Sequence, residues 1–426
     1  MESFSFIHAA DLHLDTPFSG VGRVDPKLQK TLHDASLTAF DNLIQAAVRH
    51  SVDFVLLAGD IYDGIEHGVR AQARFLKGIR ELDRHNIKSF FIHGNHDPVE
   101  EGWSALRTDD LPDSAIRFEQ SNEVLAKPVV RNGRTIAVVH GISFRLKAEG
   151  RNLSKLFPAR SGGDRPFHIG LLHCNVGRQD GHGDYAPCSL DDLCSRSIDY
   201  WALGHIHKRT VLSSRDPVVL YPGNLQARRF DESGQKGATL VRIDSSGAAT
   251  LELLELDVIR FAHLQVSVTG KDSLEQILVA CEERCTKAVR EADGRMLIAR
   301  ITLEGTTAAH SDLLKTKARG ELLSAFSDRL QLDGFYLDAV IVATNPPVDR
   351  NKAAQSGGFE AALLRLNDDL LGSDDELELL LQQVRSPLLK RGQFDEFLPE
   401  SEILRARGFV QQAESQLLGM LEPDGD

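Results

Sequence analysis

Asp53-Phe54-Val55-Leu56-Leu57-Ala58-Gly59-Asp60-Ile61-Tyr62-Asp63 sets an unbroken apolar run against a glycine and two carboxylates. The run is long enough for a strand and too short for a helix. Acidic residues just past such a run fall where open α/β sheets build their sites, beyond the ends of strands. The same grammar recurs along the chain. Phe4–Ala10 leads into Asp11-Leu12-His13, Lys88–His93 into Gly94-Asn95-His96-Asp97, and Asp199–Leu203 into Gly204-His205-Ile206-His207, while the run 168–173 ends in His173 itself. Five strand ends thus deliver carboxylate, imidazole and carboxamide groups to one edge of a sheet.

Between these runs, Phe40, Leu43, Ile44, Ala47 and Val48 follow helical spacing, as do Phe75, Leu76, Ile79 and Leu82. Strands alternating with helices predict a layered α/β domain over residues 1–258. Arg134–Gly141 reads as a further strand, and Pro217–Tyr221, Ala238–Ile243 and Leu251–Leu256 as antiparallel strands closing a second sheet. Residues 259–345 read as a small α+β domain: strand 264–268, helix 274–289, strand 296–303, one helix 312–330 and strand 335–342. Thr344–Gly358 has the composition of a linker. In the helical segment 346–426, Ser373 and Glu376 form a capping-box pattern ahead of Leu377, Leu380, Leu381 and Val384. Ile403, Ala406, Val410, Ala413, Leu417 and Met420 alternate spacings of three and four, a heptad seam.

The 426 residues carry a net charge of −13, which argues against a polyanionic partner. Residues 346–426 hold sixteen acidic and eight basic residues, however, so −8 of that charge belongs to the C-terminal segment. Five cysteines without a CxxC pair argue against a disulfide framework and against a thiolate zinc knuckle. No apolar run approaches a membrane span and the first ten residues lack a secretory pattern, so the expectation is a soluble cytoplasmic protein. No GxxxxGK[ST] phosphate loop is present, and any use of ATP must come from a partner.

Oxygen and nitrogen ligands without thiolate suit a hard or borderline divalent ion such as Mn²⁺. A carboxylate such as Asp60 is able to bridge two ions about 3.5–4 Å apart, the arrangement that turns a bound water into hydroxide for displacement at phosphorus. Residues two apart, as in Asp11-x-His13 and His205-x-His207, share one side of an extended segment.

These five blocks, D-x-H, G-D, G-N-H-D, a lone His and G-H-x-H, resemble those of the calcineurin-like metallophosphoesterases. The wording His8-Ala9-Ala10-Asp11-Leu12-His13-Leu14-Asp15 and Trp201-Ala202-Leu203-Gly204-His205-Ile206-His207 is similar to the SbcD branch of DNA repair nucleases, nearest its YhaO-type exonucleases. The resemblance implies a metallophosphoesterase β-sandwich flanked by helices, with the small α+β segment as a cap. It implies that Asp11, His13, Asp60 and His207 hold one ion and that Asp60, Asn95, His173 and His205 hold the other. His96 would assist the leaving oxygen and Asp97 would orient its ring. The function implied is a Mn²⁺-dependent DNA exonuclease with two divalent ions, docked through its C-terminal helices to an SbcC-like coiled-coil ATPase, with homodimers usual in that branch. A phosphodiesterase of small nucleotides and a non-catalytic scaffold for the ATPase are the competing classes. A serine/threonine protein phosphatase is disfavoured, because Gly59–Gly64 and Gly94–Asp97 differ from G-D-x-x-D-R-G and G-N-H-E.

Other residues read more blandly. His8 and His93 are expected in the core or behind the ligands, and Asp15 and Asp63 as caps or orienting groups. His140 and His182 are candidates to line the cleft. Cys174 should face away from His173 and pack. Arg178, Lys208, Arg209, Arg228 and Arg229 are candidate phosphate clamps.

Overall fold

The computed structural model describes residues 1–16, 18, 26–64, 68–100, 110–159, 166–177, 183, 185–347, 350–355, 357–389 and 403–421. The chain divides into two units, Met1–Ala262 with Ala292–Ile298, and His263–Glu291 with Ala299–Asp426.

In the first unit, one sheet orders β12 (Ala249–Glu255), β11 (Gly237–Ile243), β1 (Phe4–Ala9), β2 (Phe54–Ala58), β3 (Lys88–Ile92) and β4 (Ala115–Arg117). The second orders β5 (Leu125–Arg131), β6 (Arg134–Gly141), β7 (Phe167–His173), β8 (Tyr200–Gly204), β10 (Val218–Tyr221) and β9 (Thr210–Ser214). Alternation along each strand divides its side chains between two cores. Phe4, Phe6, Phe54, Leu56 and Phe90 from the first sheet meet Val139, Ile169, Leu171, Tyr200 and Leu220 from the second in the sandwich interior. On the far side of the first sheet, Ile7, Val55, Leu57 and Phe91 pack beneath α1 (Pro26–His50) and α2 (Val69–Arg84), whose Phe40, Leu43, Phe75 and Ile79 fill the gap. Leu172, Trp201, Leu203 and Tyr221 face the other way from the second sheet, toward Leu153, Phe157 and Leu193 of α3 (Leu190–Cys194).

Strands β1 to β4 run parallel, as do β6, β7, β8 and β10. Parallel order brings the C-terminal ends of β1, β2 and β3 to one edge of the first sheet and those of β7 and β8 to one edge of the second.

Two expectations are corrected here. β11 and β12 do not close the second sheet; β11 pairs antiparallel with β1, from Phe4↔Ile243 to His8↔Thr239, and β12 extends the first sheet beyond it. Either edge of a sandwich buries an alternating strand equally well, so alternation carries no information about the choice. β10 joins the second sheet parallel to β8, with antiparallel β9 outside it.

A three-stranded sheet is formed by β13 (Ile259–Ser267), β14 (Met296–Thr306) and β15 (Phe335–Asn345), of which residues 263–267, 299–306 and all of β15 belong to the second unit, together with α4 (Leu274–Glu291), α5 (His310–Ala318) and α6 (Leu322–Arg329). The single helix expected over 312–330 is two, because Gly320 adopts a left-handed conformation (φ 74) between them. The expected linker contains α7 (Arg350–Gln355), followed by α8 (Phe359–Gly372), α9 (Asp374–Leu389) and α10 (Ile403–Leu421). The Glu376 N–H donates to Ser373 Oγ at the start of α9.

The heptad seam is also corrected. Among the described side chains of α10, Ala406, Val410, Glu414 and Leu418 are the buried ones, at a constant spacing of four, whereas Leu417 is 43% exposed. Ala406 and Val410 pack on Leu377, Leu380 and Leu381 of α9. Glu414 tolerates burial because Asn367 Nδ2 and Arg350 Nε each reach its carboxylate at 3.1 Å. The side chains of Val384, Ile403 and Met420 lie outside the described residues.

Candidate metal centre

The backbone leaves the strand ends in unusual conformations. Asp11 (φ 51), His13 (φ 41), Asp60 (φ 49) and His205 (φ 102) all lie in the left-handed region, where a non-glycine residue is strained. A row of backbone hydrogen bonds holds them there. Asp11 N–H donates to Gly59 O (3.1 Å), His13 N–H to Asp60 O (3.0 Å) and Leu14 N–H to Ile61 O (2.9 Å), so the loop after β1 is laced to the loop after β2. At Gly94 a Cβ would collide with Asp60 Oδ1 and lie 2.8 Å from His173 Nε2; only glycine lets this backbone approach so closely.

The predicted ligands converge in two overlapping groups. In one, His13 Nε2 lies 3.2 Å from His207 Nε2 and 3.8 Å from Asp60 Oδ2, with Asp11 adjoining both imidazoles. In the other, His173 Nε2 lies 3.0 Å from Asn95 Oδ1 and 3.4 Å from Asp60 Oδ2, and His205 Nδ1 lies 3.2 Å from Asn95 Oδ1. Asp60 Oδ2 belongs to both. Asp11 also accepts the His205 N–H at 3.0 and 3.2 Å through its two oxygens.

The outer hydrogen bonds assign the tautomers. His173 Nδ1 donates to Ala58 O (2.9 Å), His205 Nε2 to Gly183 O (3.0 Å) and His207 Nδ1 to Glu232 Oε1 (2.7 Å). Each ring therefore turns its other nitrogen inward, toward carboxylate and carboxamide oxygens that carry lone pairs. Acceptors gathered this way in a buried place require positive charge among them. Their spacing suits a metal ion, since atoms bound at about 2.1 Å to one ion sit roughly 3 to 3.5 Å apart. The donor set is all oxygen and nitrogen, as Mn²⁺, Fe²⁺ or Zn²⁺ accept.

The protonation energetics express the same demand. Burial works against a charge on His173, yet Asp60 beside it prevails and pushes the imidazole up to about 9. Burial also acts upward on Asp60, but His173 and His13 hold that carboxyl well below the usual range. Asp11 is pushed up to about 6 by burial, against the pull of His173 and His207. Burial, reinforced by Arg228, drives His13 well below an ordinary histidine.

His96 stands at the side of this cluster. Its N–H donates to Asp60 Oδ1 (2.9 Å), its ring centroid lies 4.9 Å from that of His13, and a third of its side chain is exposed. The ring Nδ1 is held by Asp63 Oδ1, and Asp63 Oδ2 in turn takes Arg228 Nη2 at 2.5 Å. Burial opposes protonation of His96, but Asp63 and Asp60 outweigh it and raise the imidazole above its ordinary value. Asp97 does not orient this ring. It is fully buried, accepts the N–H groups of Ile61 (2.9 Å) and Gly94 (2.8 Å), lies 3.4 Å from His93 Nδ1, and ties the loop after β3 to that after β2. Asp63 occupies the place expected of Asp97, because the backbone turns Asp97 inward toward amide hydrogens.

The remaining candidates separate cleanly. Asp15 pairs with Arg70 Nη1 (2.8 Å), and His140 is bonded to His168 (2.8 Å), away from the ligands. His8 is buried, and Cys174 packs with Cys188 in the outer core of the second sheet. Arg228 is engaged by Asp63, Arg209 Nε donates to Thr239 Oγ1 (3.3 Å), Arg229 meets Asp231, and Lys208 is exposed. Arg178 and His182 lie outside the described residues. Sequence reasoning missed Glu232, which stands in a short helical turn at Phe230–Glu232 with no local pattern to mark it.

A sandwich of two largely parallel sheets with a paired cluster of acidic, imidazole and amide ligands at their meeting edges defines a metal-dependent phosphoester hydrolase, and this chain belongs to the calcineurin-like metallophosphoesterases, a family that uses a dinuclear divalent metal site. Residues 4–209 match the family described as calcineurin-like phosphoesterase, and residues 261–345 match the metallophosphoesterase YhaO middle domain. The chain is 35% identical over 306 residues to the uncharacterized metallophosphoesterase YhaO of Bacillus subtilis, covering 72% of this chain and 73% of that protein. It is 23% identical to the DNA double-strand break repair protein Mre11 of Methanocaldococcus jannaschii, over 66% of this chain and 73% of that protein. The corresponding protein of Sulfolobus acidocaldarius is 25% identical over 73% of this chain and 78% of its own. No described helix is long and apolar enough to cross a membrane.

Proposed function

We propose that this protein is a Mn²⁺-dependent DNA exonuclease, the nuclease subunit of an SbcCD-like repair complex. The observation that carries the catalytic part is the convergence of lone-pair donors on both sides of Asp60. Asp11, His13, Asp60 and His207 would hold one ion, and Asp60, Asn95, His173 and His205 the other. When bound, the ions would supply an activated water and neutralise charge on the phosphate oxygens.

The chain's own residues do the rest. The laced loops after β1 and β2 keep Asp11, His13 and Asp60 in place without reorganisation. His96 presents a ring whose Nδ1 is engaged by Asp63, leaving Nε2 to give its proton to the oxygen that departs. Asp97, through Ile61 and Gly94, keeps the backbone beneath His96 and Asp60 in one position.

The choice of DNA as substrate is supported by the relatives named as DNA double-strand break repair proteins. Docking of a coiled-coil ATPase on the C-terminal helices is supported by the apolar side chains they leave in solvent, Phe359, Leu366, Leu379, Phe409 and Leu417.

The test follows duplex and single-stranded DNA, labelled separately at each end, with the full chain in Mn²⁺, beside His96→Ala and a small chromogenic diester. Stepwise loss of nucleotides from one end, absent in a His96→Ala protein that still binds two ions, is the expected result. Hydrolysis of the small diester with DNA left intact, also after addition of the ATPase, would refute the exonuclease and assign a small-diester phosphodiesterase.

A further inference from the structure

Glu232 lies beyond the segment that matches the calcineurin-like phosphoesterase family, yet it is built into the metal centre. Its side chain is 7% exposed and both oxygens are engaged. Oε1 accepts His207 Nδ1 at 2.7 Å, while Oε2 accepts Asn224 Nδ2 at 2.8 Å and the backbone N–H of Arg228 at 2.6 Å. Asn224 is itself fully buried and is fixed by a second bond from Nδ2 to Gln226 O (2.9 Å). Two further bonds grip the His207 backbone carbonyl from the same segment, Lys236 Nζ at 2.8 Å and the Asn224 N–H at 3.2 Å. The segment 224–236 therefore holds His207 at both its ring and its main chain.

A carboxylate on the outer nitrogen of a ligating histidine fixes the tautomer, sets the ring plane and makes the inner nitrogen a better donor to a metal. His207 is the most exposed of the four ligating imidazoles by burial class, the others being buried, so packing alone constrains its ring least. We infer that Glu232 is a positioning residue that holds His207 for one of the two divalent ions, and so makes the affinity of that ion depend on the segment 224–236. This rests on His207 being a metal ligand, as proposed above.

The experiment is calorimetric titration of the metal-free full chain with Mn²⁺, comparing wild type, Glu232→Gln, Glu232→Asp and His207→Ala, with thermal melts of each metal-free protein alongside. Glu232→Gln should weaken one of two Mn²⁺ sites about 10- to 100-fold and leave the other within about twofold, the range found for lost outer partners of metal ligands. His207→Ala should weaken the same site further. Glu232→Asp, which keeps the charge, should recover part of the loss. If His207→Ala weakens one site while Glu232→Gln leaves both unchanged, the inference falls and the ligand assignment stands. If His207→Ala changes neither site, the ligand assignment falls with it. A metal-free Glu232→Gln protein that melts well below wild type, together with an equally weak Glu232→Asp, would make the residue structural and overturn the positioning role.

Discussion

His13 and His207 point their Nε2 atoms at each other across 3.2 Å, although 194 residues separate them in the chain. With the outer nitrogen of His207 bonded to Glu232, its inner nitrogen turns a lone pair toward His13, and either a proton on His13 Nε2 or a shared cation lies between them. The metal ion proposed above would take that place.

Metal binding should therefore stabilise the fold. With free Mn²⁺ at 100 times the dissociation constant, each site adds about 2.7 kcal/mol, seen as a rise of several degrees in the melting temperature that EDTA reverses. His13→Ala should lose a large part of this rise. A melting temperature indifferent to Mn²⁺ and EDTA in the wild-type protein would contradict the reading of the cluster.

Asp63 holds the ring of His96 and is itself held by Arg228. Asp63→Asn should lower kcat at least about tenfold on a diester substrate, in line with the contribution of a positioned general acid, while KM and the number of bound ions change little. Steady-state kinetics with metal analysis of the same preparation decides this; a change confined to KM would place Asp63 in binding instead.

His8 gives the fold a pH dependence. It is fully buried, Tyr200 Oη donates to Nδ1 (3.0 Å) and Nε2–H donates to Leu203 O (3.1 Å), so the neutral ring is satisfied at both nitrogens. Burial pushes it down to about 3 from 6.5, against the Leu203 carbonyl and with help from Arg209. The unfolded chain takes up a proton as pH falls through 6.5 while the native state does not, so His8 contributes stability that is fully present above pH 6.5 and is lost toward pH 3. The slope is about 1.4 kcal/mol per pH unit. Urea unfolding of wild type and His8→Gln at several values between those limits should show that difference in slope; parallel curves would exclude it.

Phe409 is 59% exposed on α10, on a helix whose other side packs against α9. Phe409→Glu should leave the melting temperature within about a degree, as surface substitutions do, while abolishing capture of a coiled-coil ATPase partner. Retained capture would move the proposed docking surface elsewhere.

The strands and the kinds of residue at their ends are local properties. A run such as Phe54–Ala58 carries strand-forming side chains in its own sequence, and once it is a strand Gly59 and Asp60 stand at its exit by chain continuity alone. For that reason Asp11, His13, Asp60, Asn95, His173, His205 and His207 could be singled out before any packing was known, as could the aromatic and aliphatic residues of α1 and α2. The side on which β11 and β12 add and the replacement of a heptad seam by Ala406, Val410, Glu414 and Leu418 depend on which surfaces meet, and no period in the sequence encodes that choice, whereas the break at Gly320 is local, a glycine free to take the left-handed conformation after α5. The same holds inside the centre. Asp63 and Asp97 are both acids near His96 in space, and only the turns after β2 and β3 and the amide hydrogens they expose decide that Asp97 faces backbone while Asp63 faces the ring. Glu232 reaches His207 from 25 positions further along the chain. Local chemistry was thus written in order along the chain, whereas the partners that orient it were decided by tertiary packing, because a hydrogen bond depends on separation and direction in space and sequence spacing specifies neither beyond a few residues.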